Sequence, residues 1–354
     1  MLYAKLGNSG LIVSRLALGT MTFGAGGGNA AIARTDEADA AAILDRALEA
    51  GVNFVDTADV YAEGQSEEIL SRILKGRRDD VVLATKAGWR SGAPLNRSGL
   101  SAAHLHWSID ASLRRLGTDH VDVYIAHRDD SHTPLEETLQ ALDAIVRAGK
   151  ARYLGVSNWS SWKIAAALEL QRANGWAPFT HVQMMYSLLG RGVEHEILRM
   201  AKHYGLGFTA WSPLAGGFLS GKYTRESLSD PNNRLSGFDM IPFDKDHGFA
   251  LVETMRGIAD AHGASVAQVA IAWLLAKSSV SSVLIGASKR SQLEDNLAAA
   301  DLALTPEDLA TLDEATRPAP DFVTGVTLVP DTPIVNALKA RPGDTPDLKA
   351  PPVV

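Results

Sequence analysis

Apolar residues in this chain come in short runs that end on ionisable ones. Val81-Val82-Leu83-Ala84-Thr85 runs into Lys86, Val52-Asn53-Phe54-Val55 into Asp56, and Val121-Asp122-Val123-Tyr124-Ile125-Ala126 into His127. A β-branched and aliphatic run of this length is read as a strand covered on both faces, as in a parallel sheet. A lysine at its end is costly unless it meets an anion or a polar cavity. The three strands are therefore expected as neighbours that deliver Asp56, Lys86 and His127 to a common mouth.

Helical patterns fill the intervals. They are expected over 36–49 (stopped by Gly51), 66–74, 101–116 (capped by Ser101, ended by Gly117), and 134–148, with Pro134 in the first turn and Gly149 at the end. More follow over 160–173, 193–204, 248–261, 265–277 and 291–300, alternating with strands over 151–156, 180–184, 207–210 and 282–285. Residues 2–13 read as a hairpin turned at Gly7-Asn8-Ser9-Gly10, a plug for a barrel floor, and the apolar end of 12–20 as the first barrel strand. Eight strand–helix units predict an α/β fold, a (β/α)8 TIM barrel with parallel strands and right-handed crossovers. One turn-rich insertion, 213–247, interrupts the series. From Arg317 prolines crowd the chain, so 1–316 is expected as the barrel and 317–354 as an extended C-terminal tail.

Composition narrows the function. The chain has 354 residues, 46% of them hydrophobic, and a net charge of -7, which argues against nonspecific nucleic-acid binding. It has no cysteine, which removes disulfides, thiolate catalysis and cysteine-based zinc sites. The start, Met1 to Asn8, lacks the charged-then-apolar pattern of a signal peptide, and no apolar run reaches the roughly 18 residues of a membrane span. A soluble cytoplasmic protein with no membrane partner is expected. Gly24-Ala25-Gly26-Gly27-Gly28 does not complete G-x-G-x-x-G and is read as a loop over a pocket rather than a dinucleotide-fold phosphate loop. His104-Leu105-His106 has no third ligand in view, so no metal is expected.

In a βα barrel the chemistry sits at the C-terminal strand ends. Here they carry Gly19-Thr20-Met21, then Asp56 with Tyr61 on the following loop, then Lys86 followed by Trp89, then His127-Arg128. Ser157-Asn158, Gln183, Trp211-Ser212-Pro213-Leu214 and Gly286-Ala287-Ser288-Lys289 complete the ring. The stretch Gly51 to Tyr61, Lys86, His127, Gly155-Val156-Ser157-Asn158, Gln183-Met184-Met185-Tyr186-Ser187, Trp211 to Leu214, Leu284 to Ser288 and Gln292 to Asn296 together resemble the aldo-keto reductase superfamily over residues 1 to 316. The bacterial and potassium-channel-subunit-like branches are nearest, by the Gln-x-x-Tyr-Ser and Trp-Ser-Pro-Leu forms.

The resemblance implies reduction of an aldehyde or ketone by hydride transfer, with Tyr61 as general acid. A phenol titrates near 10, and the Lys86 ammonium is expected to lower that. Asp56 would hold Lys86, and a neutral His127 would orient the carbonyl oxygen. For the cofactor, the resemblance implies Thr20, Met21 and Asp56 nearby, Ser157, Asn158 and Gln183 on the nicotinamide amide, and Trp211 on its ring. Ser212, Pro213, Leu214, Gly216 and Lys222 would take the pyrophosphate; Gly286, Ser288, Lys289, Gln292 and Asn296 would take the adenosine end. Many relatives place a cation where Ser288 stands; Lys289-Arg290 and Lys222 are available instead, so NADPH is expected over NADH. Phe23, Trp89, Arg128 and Tyr186, with Met21, are the candidates to line the mouth for a small-molecule carbonyl substrate. Two alternatives stand beside this reading: a nicotinamide-nucleotide-sensing module with slow turnover, and an aldolase using Lys86 as Schiff base.

Overall fold

The fold comes from a computed structural model, which describes residues 1–25, 32–230, 235 and 241–319. Strands β1 (Tyr3–Lys5) and β2 (Ile12–Ser14) pair antiparallel. Strand β3 (Leu16–Gly19) starts the barrel, and β4 (Gly24–Ala25) with β5 (Arg34–Thr35) make a small ladder beyond it. Then follow β6 (Phe54–Asp56), β7 (Val82–Ala87), β8 (Val121–Ala126), β9 (Ala151–Ser157), β10 (Phe179–Met185), β11 (Gly207–Trp211) and β12 (Ser282–Gly286). β3 and β6 to β12 form a closed parallel eight-stranded barrel, in which β12 pairs with β3.

Both strand faces are largely apolar, which is why these sequences read as apolar runs rather than as an alternation. Side chains alternate at period two. Ala17, Phe54, Ala84, Val123 and Ile125 pack with Leu6, Val13 and Leu284 inside the barrel. Leu18, Val55, Leu83 and Tyr124 pack outward in the layer shared with the helices. Two residues further along the inward rows stand Asp56 after Phe54, Lys86 after Ala84 and His127 after Ile125. The alternation that builds the core thus lifts the ionisable groups to its upper rim.

The hairpin closes the opposite end through the buried Leu6 and Val13. Gly7 fits there only as glycine. Its φ is +64°, and a Cβ would lie 2.3 Å from the Thr180 carbonyl oxygen and 2.5 Å from the Gly207 nitrogen, both backbone atoms. Gly7→Ala is expected to lower the unfolding free energy by about 2–4 kcal/mol, read from urea denaturation.

The helices fall near their expected places, and Ser101 and Gly117 bound theirs as expected. Asp36 accepts from the Asp39 amide, Ser101 from the His104 amide, and Gly117 ends its helix in the left-handed region. Three features differ from expectation. Pro134 is the cap of Leu135–Arg147 rather than a first-turn residue. The 193–204 pattern splits into a turn at Gly192–Glu194 and a helix at Ile197–Tyr204. A further helix, Pro306–Ala315, follows the last expected one; its Thr305–Asp308 capping box and leading proline were legible but unused. That helix is anchored by Asp313, which accepts from Trp273 Nε1 and Lys277 Nζ, each at 2.9 Å, and pairs with Arg191 at 3.2 Å.

Gly26 to Gly28, most of 231–240 and the tail from 320 onward lie outside the described residues. Among the described residues no single helix is long and apolar enough to cross a membrane.

Candidate active site

Asp56 and Lys86 end adjacent strands, and Lys86 is fully buried. The chain between Asp56 and Tyr61 continues the ladder of β7: the Thr57 amide donates to the Ala84 carbonyl at 2.9 Å and the Asp59 amide to the Lys86 carbonyl at 3.1 Å. That pairing carries Tyr61 back beside Lys86. The turn then reverses through left-handed Ala62 and Glu63 into Gly64 and the helix Gln65–Ile73.

Lys86 Nζ has three protons and three acceptors. It donates to Asp56 Oδ1 at 2.5 Å, the Thr57 carbonyl at 2.8 Å and the Tyr61 hydroxyl oxygen at 3.1 Å. The other Asp56 oxygen accepts from Gln183 Nε2 at 2.9 Å. Burial pulls the ammonium's pKa down, but Asp56 and Tyr61 outweigh it and the net direction is up. The Tyr61 ring meets the His127 ring edge-on at 5.9 Å, and Trp89 meets His127 at 6.3 Å. Burial, helped by Lys86 and Arg128, pushes His127 well below the usual imidazole value, so it is neutral. Its Nδ1 is buried without a partner.

One electrostatic expectation is corrected. Lys86 does pull the Tyr61 phenol downward, but burial pushes up harder, with Asp56 adding to it. The net result is a phenol above its ordinary value, held in the protonated form.

These groups open onto a cleft of about 650 Å³. Met21, Asp56, Tyr61, Trp89 and His127 line it, with Ser157, Asn158, Gln183 and Trp211. Ser212, Pro213, Leu214, Gly216, Lys222, Gly286, Gln292 and Asn296 line it as well. Asn158 ties the strand ends together from a left-handed backbone: it donates to the His127 carbonyl at 3.1 Å and accepts from Trp211 Nε1 at 3.2 Å.

Other expected residues sit elsewhere. Thr20 is buried beneath the site, hydrogen-bonded to the Asp56 carbonyl at 3.1 Å and to Ser66 at 2.9 Å. Phe23 and Tyr186 are corrected from mouth to core. A turn at Thr20–Phe23 sends the Phe23 ring under the helices. Tyr186 is buried against Phe208 and Trp273, its hydroxyl donating to Glu194 at 2.7 Å. Arg128 lies over the Trp89 ring at 4.4 Å, outside the cleft lining. Ser288 donates twice to the Gln292 side-chain oxygen, and exposed Lys289 caps the helix Arg290–Ala298 beside it.

The sequence reading missed Val60, Leu235, Ile241 and Asp295, all of which line the cleft. Asp295 could have been found, since it stands one helical turn from Gln292. Leu235 and Ile241 belong to the turn-rich insertion, where no periodicity points to a wall.

The cleft fits a nicotinamide dinucleotide. Ser212, Ala215, Gly216 and Gly217 all have positive φ, and a Cβ at Gly217 would stand 3.7 Å from Lys222 Nζ. Bare backbone and a cation therefore face the same space, which suits a diphosphate. The indole of Trp211, held by its bond to Asn158, adds a flat apolar surface to the cleft lining.

Known proteins resemble this chain over most of its length. The Aldo/keto reductase family matches residues 15–317. A protein of Oryza sativa subsp. japonica named "Probable voltage-gated potassium channel subunit beta" is 38% identical over 90% of this chain and 98% of its own length. The versiconal hemiacetal acetate reductase of Aspergillus parasiticus is 33% identical over 88% of this chain and 96% of its own. An oxidoreductase of Bacillus subtilis (strain 168) is 36% identical over 88% and 95%. With the closed barrel and the cleft described above, the chain belongs to the aldo/keto reductase family and is an NAD(P)H-dependent oxidoreductase.

Proposed function

We propose that this protein reduces an aldehyde or ketone to the alcohol with NADPH, and that Tyr61 gives the proton. The observation that carries the proposal is the use of Lys86: its third proton goes to the Tyr61 oxygen, so the hydroxyl's own proton is left to point into the cleft beside neutral His127. A nicotinamide nucleotide supplies the hydride that no side chain can. Ser157, Asn158 and Gln183 would hold its amide end, with Trp211 against the ring. Lys222 and the 212–217 backbone would take the diphosphate, and Gln292, Asp295 and Asn296 the adenosine end.

The chain's own residues then do four things. His127 donates a hydrogen bond to the carbonyl oxygen and orients it. Tyr61 delivers its proton to that oxygen as negative charge builds there. Lys86 stabilises the phenolate left behind, and Asp56 keeps Lys86 charged and in place. Trp89 and Val60 close the substrate end with apolar surface, which excludes water.

The preference for NADPH rests on Lys222 in the cleft and on Lys289 and Arg290 beside Gln292. Lys289→Ala combined with Arg290→Ala is expected to weaken NADPH by roughly tenfold and NADH far less, by fluorescence titration. Equal weakening removes the argument.

A second reading is favoured by the relatives named as channel β subunits: a nucleotide-sensing module that binds NADPH and turns over slowly. Steady-state NADPH oxidation across a panel of small, sugar-derived and aryl aldehydes separates the two. Tight binding with no aldehyde-dependent oxidation would leave only the sensor. An aldolase is disfavoured, because all three Lys86 protons are engaged and the amine is held charged.

A further inference from the structure

Beside the tetrad lies a carboxyl that the mechanism does not use. Asp59 stands two residues before Tyr61 and is 5% exposed. Its Oδ2 accepts from Ser108 on the helix Ala102–Leu116 at 2.7 Å and from Ser91 at 3.3 Å, while its Oδ1 is buried with no partner. Ser91 belongs to the loop that carries Trp89, and the Asp59 amide is bound to the Lys86 carbonyl. One residue therefore joins the proton donor's turn to the end of β7 through its backbone, and to the helix Ala102–Leu116 and the Trp89 loop through its side chain.

We propose that Asp59 is a positioning residue for the reduction, tying the Tyr61 turn to the Trp89 loop and setting by its charge how firmly Tyr61 keeps its proton. This rests on reading Tyr61 as the proton donor. The ionisable groups around Asp59 are few. Glu67 comes from the helix Gln65–Ile73, bound to Thr85 and Arg115 at 2.6 Å each, and adds negative charge. Arg115 opposes it. Tyr124 faces it from β8, and Tyr61 from its own turn, with Lys86 and Asp56 beyond. Burial dominates and raises the Asp59 pKa to about 7. A neutral acid also tolerates the unpartnered Oδ1 better than a carboxylate does. When Asp59 ionises, its charge disfavours the Tyr61 phenolate and strengthens the bond from Ser91. The donor is thus kept protonated and its loop kept closed as pH rises.

The test uses the full chain, labelled with carbon-13 at Asp Cγ and Tyr Cζ, in an NMR titration without cofactor. Asp59 is expected to titrate in the neutral range, and the Tyr61 signal to show an inflection at the same pH that Asp59→Asn removes. An Asp59 already ionised in mild acid, or a Tyr61 signal with no such inflection, overturns the proposal. NADPH-driven reduction against pH gives a second readout. Asp59→Asn is expected to move the alkaline limb of kcat to lower pH, a roughly threefold loss at a fixed alkaline pH, with KM unchanged. Ser91→Ala is expected to raise KM and leave that limb in place. Superimposable limbs for wild type and Asp59→Asn also overturn the proposal. If Asp59→Asn does not fold, the wild-type titration and Ser91→Ala still decide. Activity retained in Tyr61→Phe would sink the proton-donor reading, and the coupled NMR inflection is judged separately from it.

Discussion

Tyr61→Phe is expected to lower kcat for carbonyl reduction by roughly 10²–10⁴-fold, with nucleotide affinity unchanged. The ring keeps its edge contact with His127, and only the oxygen that accepts from Lys86 is lost. Lys86 retains Asp56 and Thr57, so the fold should survive the change. What disappears is the proton beside the reacting oxygen. Because the cleft floor and the far subsites stay as they were, KM for NADPH is expected to move little. Stopped-flow hydride transfer, with nucleotide binding by fluorescence, separates these terms. Near-normal turnover in the phenylalanine variant would mean that the proton comes from water or His127.

Asp56→Ala should have the largest effect on the fold. Lys86 is fully buried, and among the described residues Asp56 is the only acidic side chain paired with it. Removing one partner of a buried pair leaves an uncompensated charge and typically costs about 3–5 kcal/mol. Gln183 loses its acceptor at the same time. The pH dependence gives the cause away. In the wild type Lys86 is raised in the folded state, so its contribution is full below the ordinary lysine range and is lost as pH rises through the folded value. In the variant the folded value falls below the ordinary one. Stability then increases with pH until the unfolded chain also loses its proton. Urea midpoints across neutral and alkaline pH read both slopes. The double variant Asp56→Ala, Lys86→Met is expected to recover part of the loss, since it removes the stranded charge.

Much of this site was legible because one periodicity serves two ends. The row that packs Phe54 inside the barrel also presents Asp56, and the same spacing takes Ala84 to Lys86 and Ile125 to His127. Tyr61 needed the resemblance, because backbone bonds from Thr57 and Asp59 to β7 place it, and side-chain patterning says nothing of those. Phe23 and Tyr186 misled for the opposite reason. Both sit near strand ends, but a turn and a buried Glu194 partner draw them into the core. The net direction of the Tyr61 pKa was also out of reach. It is a contest between Lys86 and desolvation, and only the packed structure weighs the two.

Barrel closure has a consequence for synthesis. β3 pairs on one side with β6 and on the other with β12, in a register that joins Leu16 to Val283 and Gly19 to Gly286. While the chain emerges from the ribosome, that second edge has no neighbour until some 270 residues later have been made. An apolar edge waiting that long is a template for the wrong partner. Nascent chains should therefore depend on chaperones until the eighth barrel strand arrives.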